Sequence, residues 1–378
     1  MSRSRIIFVT IILVAGSIVV ASIFGPQVSK LLSAIPTSTP IPPIQIEVAV
    51  NPMAYDWVSE QATAFNNQSS MVNGQPVQIR VSRRDSTDVW QTGTLWTPQS
   101  HPIAWIPEAA FALQYAADSN PAIQYAVVAP SLATTSLVWG IYSDRAEILN
   151  TSTLDWNTAQ QATVKGSWAS LGGKTEWGFV KPAFAPPQSS TAGFIALLSA
   201  AAAYSKTGQI TDSLVTDSGF QSWMQPVVEA MTASSDSPIT LMASQGSSRI
   251  DFALLPESDW LLYYSQIEAR QPIHFSYPAY TLTFDMPFAV WSGSETNQAE
   301  RSAAGQFSDF LSQPSAQKRA AAFGLRPAQV KLGEAYSSLF TPAINAGLTL
   351  KDPPGTAISI PSRDSALSLL RWFKSIGS

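Results

Sequence analysis

The run Phe194–Tyr204, FIALLSAAAAY, carries no charge and no helix breaker. Small residues and leucines at this density read as a helix. A helix with no polar face must be buried, so the rest of the chain has to supply layers around it. Just before it, Trp177–Phe184 is a short apolar strand candidate, followed by Pro186 and Pro187 and then by Ser189, Ser190 and Thr191. Any of these three hydroxyls can cap the helix. Its N-terminus offers unpaired N–H groups and a partial positive charge, which attract anions and carbonyl oxygens. A strand, a hydroxyl-rich loop and a buried helix together are how an α/β domain presents a small-molecule site. An ordinary capped core helix is the competing reading.

The remaining segments place this helix in an alternating pattern. Ile44–Val50 alternates apolar and polar residues as a strand does, and Asn51-Pro52 ends it. Tyr55–Asn67 reads as an amphipathic helix with Trp57, Val58, Ala62 and Phe65 on one face. Val77–Val81 is a second strand, after which Asp85 or Ser86 can cap a helix carrying Val89 and Trp90. Ile103–Ile106 is a third strand, ending at Pro107-Glu108, with a helix over Ala109–Ala117. Extended segments follow at Leu137–Tyr142, Asp251–Pro256, Ile273–Tyr280 and Leu282–Trp291. Helices follow at Phe220–Met231, Trp260–Glu268, Ala299–Leu311, Ser315–Phe323 and Ser365–Lys374. Such alternation predicts an α/β fold on a parallel sheet.

The chain ahead of Ile44 is different in kind. Arg3 and Arg5 precede nineteen uncharged apolar residues, Ile6–Phe24. That length is nearer a membrane span of about 20 residues than a signal core of about 7–15. The arginines place the N-terminus in the cytoplasm and the rest outside. Residues 1–25 are therefore expected to be a single-pass membrane anchor, with a cleaved signal as the alternative. Residues 26–43, rich in Pro, Ser and Thr, form a linker without a core.

Composition removes several functions. Across 378 residues only 13% are charged and the net charge is −4, with no basic stripe to meet nucleic acid. With no cysteine there are no disulfides, thiolate nucleophiles or thiolate metal sites. His101 and His274 are the only imidazoles, neither has a metal-spaced partner, and no G-x-S-x-G elbow exists. Gly172-Gly173-Lys174-Thr175 lacks the earlier glycine of a phosphate loop, since Trp168 stands there, and reads as a polar turn. No cofactor or metal is expected, and an enzyme is the least supported class. Glu108, Asp251, Glu257 and Asp259 remain candidates for carboxylates that converge in space. Of the twelve tryptophans most must be core.

Five stretches in order resemble the extracellular solute-binding proteins of ABC importers: HPIAWIPEAAF (101–111), ATTSLVWGIY (133–142), the loop and helix of 186–204, SYPAYTLTFDMPFAVWSG (276–293) and FSDFLSQPSAQKRAAAFGLRPA (307–328). The likeness is closest to the solute-binding module often fused to von Willebrand factor A domains, although neither a lipobox cysteine nor a D-x-S-x-S motif is present. The resemblance implies a two-lobed type II periplasmic-binding fold with two hinge crossings. Lobe 1 would comprise 44–130 and 281–378, and lobe 2 would be 131–280. It implies a small polar or anionic solute between the lobes and an ABC permease as partner. A sensory or protein-interaction domain on the same fold is the alternative. The matching ligand positions are Tyr55, Asp85, Ser86, Trp105, Glu108, Thr135, Ser136, Ser189, Ser190, Thr191 and Tyr277. Arg84 is a further candidate for an anionic ligand.

Overall fold

Strand Ile44–Val50 lies at the middle of a six-stranded sheet because its second half is buried on both faces. The order across the sheet is Met71–Val72, Gln75–Arg83, Ile44–Val50, Ala104–Ile106, Phe288–Trp291 and Tyr125–Ala129. The computed structural model describes residues 41–376 apart from 232, 233, 235 and 334–337, and from Ile44 onward the chain is one unit. Ile44–Val50 pairs in parallel with Gln75–Arg83 and Ala104–Ile106. Helix Tyr55–Asn67 buries Trp57, Val58, Ala62 and Phe65, the face read from its sequence. Phe65 meets the edges of Phe307 and Phe310 on helix Gln298–Leu311, and Trp57 Nε1 donates to Ala316 O at 3.0 Å. Helices Gln298–Leu311 and Pro314–Ala320, the second carrying Ala316, therefore cover the first sheet.

A second sheet holds Ile273–Ser276, Leu137–Tyr142, Phe252–Pro256 and Pro182–Ala183 in that order. Leu137–Tyr142 is buried at every position, so its sequence is a continuous apolar run. Gly140 is obligatory there: a Cβ would lie 2.6 Å from the ring of Trp260. Helix Thr191–Ser205 is buried along Thr191–Ala202, as its lack of a polar face requires.

The expectation of a parallel sheet needs correction. Phe288–Trp291 runs antiparallel to both its neighbours, and Leu137–Tyr142 runs antiparallel to both of its own. The cause is long-range. The chain leaves the first sheet after Ala129 and re-enters it at Phe288, so the returning strand comes from the opposite end. Local periodicity carries no record of that direction.

Where two crossings between the sheets were expected, there is also a third. After Gly324 the chain goes over again, and Phe340, Ala343 and Leu348 join the cluster of Trp260 and Phe275. Phe275 N–H donates to Ala346 O at 2.7 Å, covering the edge of the second sheet. The segment 281–378 was expected in one lobe with 44–130. Helix Gln298–Leu311 is, but helix Arg363–Ile376 touches both halves. Its Phe373 meets Phe184 at 5.8 Å, while Arg363 donates to the carbonyls of Trp90 and Gln91, both at 2.7 Å. The stripe Ala366, Leu369, Leu370 and Phe373 shows that the helix must be buried, but not against what.

Among the described residues no helix is long and apolar enough to cross a membrane. The anchor expected at Ile6–Phe24 lies outside the described residues. Eight tryptophans, 57, 90, 105, 139, 156, 168, 260 and 291, are among the largest fully buried side chains, as a charge-poor chain demands.

Candidate functional site

The C-terminal ends of three parallel strands meet at one place. Ile44–Val50 ends in buried Asn51, whose Oδ1 accepts from Met53 N–H and Ala54 N–H, both at 3.0 Å, and whose Nδ2 donates to Ile106 O and Pro107 O. Asn51 therefore turns the chain into its helix and ties it to the next strand. Gln75–Arg83 ends beside Asp85, the N-cap of helix Ser86–Trp90. Ala104–Ile106 leads to Glu108. Facing them are the N-termini of helices Thr191–Ser205, Pro238–Gln245 and Glu257–Glu268. A cavity of about 330 Å³ lies between, lined by Pro52, Met53, Arg83, Asp85 and Glu108 on one side. Ser189, Ser190, Asp236, Ser237 and Asp259 are on the other. Strand ends opposed to helix N-termini are where open α/β sheets bind ligands. A mainly apolar cavity of about 390 Å³ adjoins it, sharing Pro186, Ser234, Asp236 and Pro238.

Four carboxylates dominate the lining. Buried Glu108 accepts from Ser86 N–H at 3.2 Å and from the Ser86 hydroxyl. Its burial, with the Asp85 charge beside it, pushes its pKa well above the usual carboxylate range. Burial also raises Asp85, against the hydrogen bonds it accepts from Thr87 and Thr191. Asp259 is half-buried, and loss of water pushes it from its ordinary 3.8 to about 6, with Arg83 opposing. Among the described residues no hydrogen bond reaches its carboxylate, which faces the cavity. Asp236 is exposed at the rim.

These shifts have a consequence for stability. A carboxyl with a raised folded-state pKa keeps its proton longer in the folded protein than in the unfolded chain. The folded state bears no penalty below pH 3.8 and acquires one as pH rises towards about 6. For Asp259 the penalty is about 2–3 kcal/mol. Urea unfolding from pH 4 to pH 7 should show wild type losing stability relative to Asp259→Asn by this amount. Parallel profiles for the two proteins would contradict it.

The cleft brings together Asp85, Glu108, Ser189 and Ser190 of the expected positions, with Ser86 and Thr191 buried behind and bonded to Glu108 and Asp85. The other five lie elsewhere. Tyr55 packs half-buried against the core. Trp105 points into the first half, edge-on to Trp96 at 4.9 Å and Tyr125 at 5.6 Å, on a strand that is buried at every position. Thr135 and Ser136 are buried in the first crossing, where Thr135 Oγ1 accepts from Ser258 N–H at 3.2 Å and Ser136 O from Glu257 N–H at 2.8 Å. Tyr277 donates to Glu257, which is also paired with Arg326.

Arg84, the candidate for an anionic ligand, pairs with Asp88 at 3.2 Å in solvent, and its neighbour Arg83 faces the cleft instead. Sequence reasoning passed over Met53, Arg83, Asp236 and Ser237 as site residues. Of the convergent carboxylates it named, Glu108 and Asp259 do share the cleft. Asp259 follows a buried strand at a helix start, and that position was the available signal. Asp251 is elsewhere, buried between Arg145 Nε at 3.0 Å, Trp168 Nε1 at 3.0 Å and Lys181. His101 stacks on Trp291 at 3.7 Å. No group of three or more metal-ligating side chains occurs among the described residues.

No protein-family model matches the chain, and no curated protein matches it by sequence. Solved structures do. The sulfate-binding protein SubI from Mycobacterium tuberculosis is 15% identical, with a TM-score of 0.52 over 86% of this chain and 96% of that one. Iron-bound HitA from Pseudomonas aeruginosa is 14% identical, with a TM-score of 0.57 over 89% of this chain and 100% of that one. An ABC substrate-binding protein from Listeria monocytogenes in complex with cycloalternan is 12% identical, with a TM-score of 0.55 over 88% and 94%. The fold is therefore the mixed α/β fold of bacterial extracellular solute-binding proteins. The three bind solutes of unrelated chemistry, so the fold alone names no solute for this chain.

Proposed function

We propose that this chain is the solute-binding component of an ABC importer and holds a small polar solute in the cleft between its two sheets. The observation that carries this reading is Asp259, a half-buried carboxylate facing the cavity with no hydrogen-bond partner among the described residues. A carboxylate left in that state costs stability and is used by a ligand that donates to it. Asp85, Glu108, Ser189 and Ser190 surround the same space. The fold's similarity to solute-binding proteins supports the class. The halves act as lobes, with 44–130 and 281–324 in the first, 131–280 and the segment around Phe340–Leu348 in the second, and helix Arg363–Ile376 touching both. The crossings serve as hinges that close on the solute.

Calorimetric titration of the full chain with sugars, polyols, amino acids, polyamines and inorganic oxyanions tests the reading. One class should bind, and Asp259→Asn should weaken it at least about tenfold. If no solute binds, the chain is better read as a sensory or protein-interaction domain on this fold.

The reading includes an uncleaved anchor. It rests on Arg3, Arg5 and the uncharged run Ile6–Phe24, with 26–43 as an extracytoplasmic stalk. Protease added to intact cells should remove the part after Pro43. Release of the protein into the medium with a mature N-terminus near Ala21 would show a cleaved signal.

A further inference from the structure

Asp85 belongs to the first sheet's side of the cleft, yet its carboxylate takes as many donors from the other side as from its own. Thr191 N–H, the first of helix Thr191–Ser205, lies 3.0 and 3.1 Å from its two oxygens, and the Thr191 hydroxyl donates at 2.8 Å. On its own side Asp85 accepts from Thr87 N–H at 2.9 Å and from the Thr87 hydroxyl at 2.8 Å. Gln91 Nε2 donates to Gln188 O at 2.7 Å, tying the same two loops a second time. The end of a fifteen-residue helix, which would attract a bound anion, is thus already neutralised by a carboxylate of the protein. Glu108, Asp236 and Asp259 line the same cavity, with Arg83 as the basic residue among those lining it.

We propose that Asp85 is a tethered anion that decides the charge class of the cleft. It occupies the seat an oxyanion would take, joins the two halves through Thr191, and with Asp236 and Asp259 at the same cavity repels a negative solute. The solute of the site is then one that donates hydrogen bonds, a polyol or an amine, and Asp85 is its specificity-determining residue. This rests on the cleft being the solute site. It goes further by excluding the anionic class that the hydroxyl-rich loop before Thr191 suggests by itself. The charge is matched once within the protein, and an external anion would have to displace a group that cannot diffuse away.

Inorganic sulfate is the probe. Calorimetric titration of the full chain with millimolar sodium sulfate should give no binding to wild type. Asp85→Ala vacates the seat and should bind sulfate at least about tenfold more tightly than wild type. Asp85→Ser should do the same while keeping an N-cap for helix Ser86–Trp90, which guards against an unfolded variant. Asp85→Asn, whose carbonyl still accepts from Thr191 but carries no charge, should bind sulfate more weakly than the Ala and Ser variants and more tightly than wild type. Sulfate binding by wild type, or folded Ala and Ser variants that gain none, would overturn the inference. Failure of every sugar, polyol, amino acid, polyamine and oxyanion to bind wild type would defeat the solute-binding reading. A gain of sulfate binding on removing Asp85 would still establish what fills the seat.

Discussion

Replacing Arg326 with methionine should lower the free energy of unfolding by about 3–5 kcal/mol, because it strands a buried carboxylate. Glu257 is wholly buried at the start of helix Glu257–Glu268, and its oxygens take Arg326 Nε at 2.6 Å and Nη2 at 2.7 Å. The same guanidinium donates to Lys351 O at 2.8 Å and to Thr349 O, while Thr349 N–H donates to the Tyr277 hydroxyl at 3.2 Å. One side chain thus joins the strand Arg326–Pro327, which pairs with the first crossing, to the second crossing and to the C-terminal segment. Arg326→Met with Glu257→Gln should recover part of the loss, since the uncompensated charge is then gone. Urea unfolding of the two variants measures both quantities. A loss below about 1 kcal/mol for Arg326→Met would mean that the pair is screened as a surface pair is.

The second large effect is expected at Gly193, in the first turn of the helix that holds Asp85. A Cβ there would sit 2.0 Å from Ala185 O and 2.7 Å from the carbonyl carbon, both backbone atoms that cannot swing aside. Gly193→Ala should cost on the order of 3 kcal/mol as the helix end or the 185–186 loop shifts. The Thr191–Asp85 contacts sit two residues away and should weaken with it. Gly305, in helix Gln298–Leu311, has nothing within 4 Å of its would-be Cβ. Gly305→Ala should therefore stabilise by about 0.4–1 kcal/mol through the unfolded state. Opposite signs in the two melting curves are the expected result, and a Gly193→Ala protein as stable as wild type would refute the crowding argument.

Several features were legible before any coordinates. FIALLSAAAAY had to be a buried helix, and Ser190 does cap it, its hydroxyl accepting from Gly193 N–H at 3.3 Å. The stripe Trp57, Val58, Ala62 and Phe65 named its own buried face. These are local matters: periodicity records which residues must leave water, and a hydroxyl before a helix meets N–H groups three residues on. The direction of Phe288–Trp291, the third crossing and the inward turn of Trp105 were not legible. Each depends on which distant element arrives alongside.

The site divides in the same way. Asp85, Glu108 and Ser190 were among the positions that the resemblance implied, and they line one cavity. That Asp85 would spend its charge on Thr191, 106 residues away, could not be read from the sequence. Nor could the capture of Tyr277 by Glu257 and Arg326, the latter two 69 residues apart. A sequence states which groups need partners. Only the tertiary structure assigns them, because a buried charge takes whichever opposite charge or donor the chain's path brings within about 3 Å.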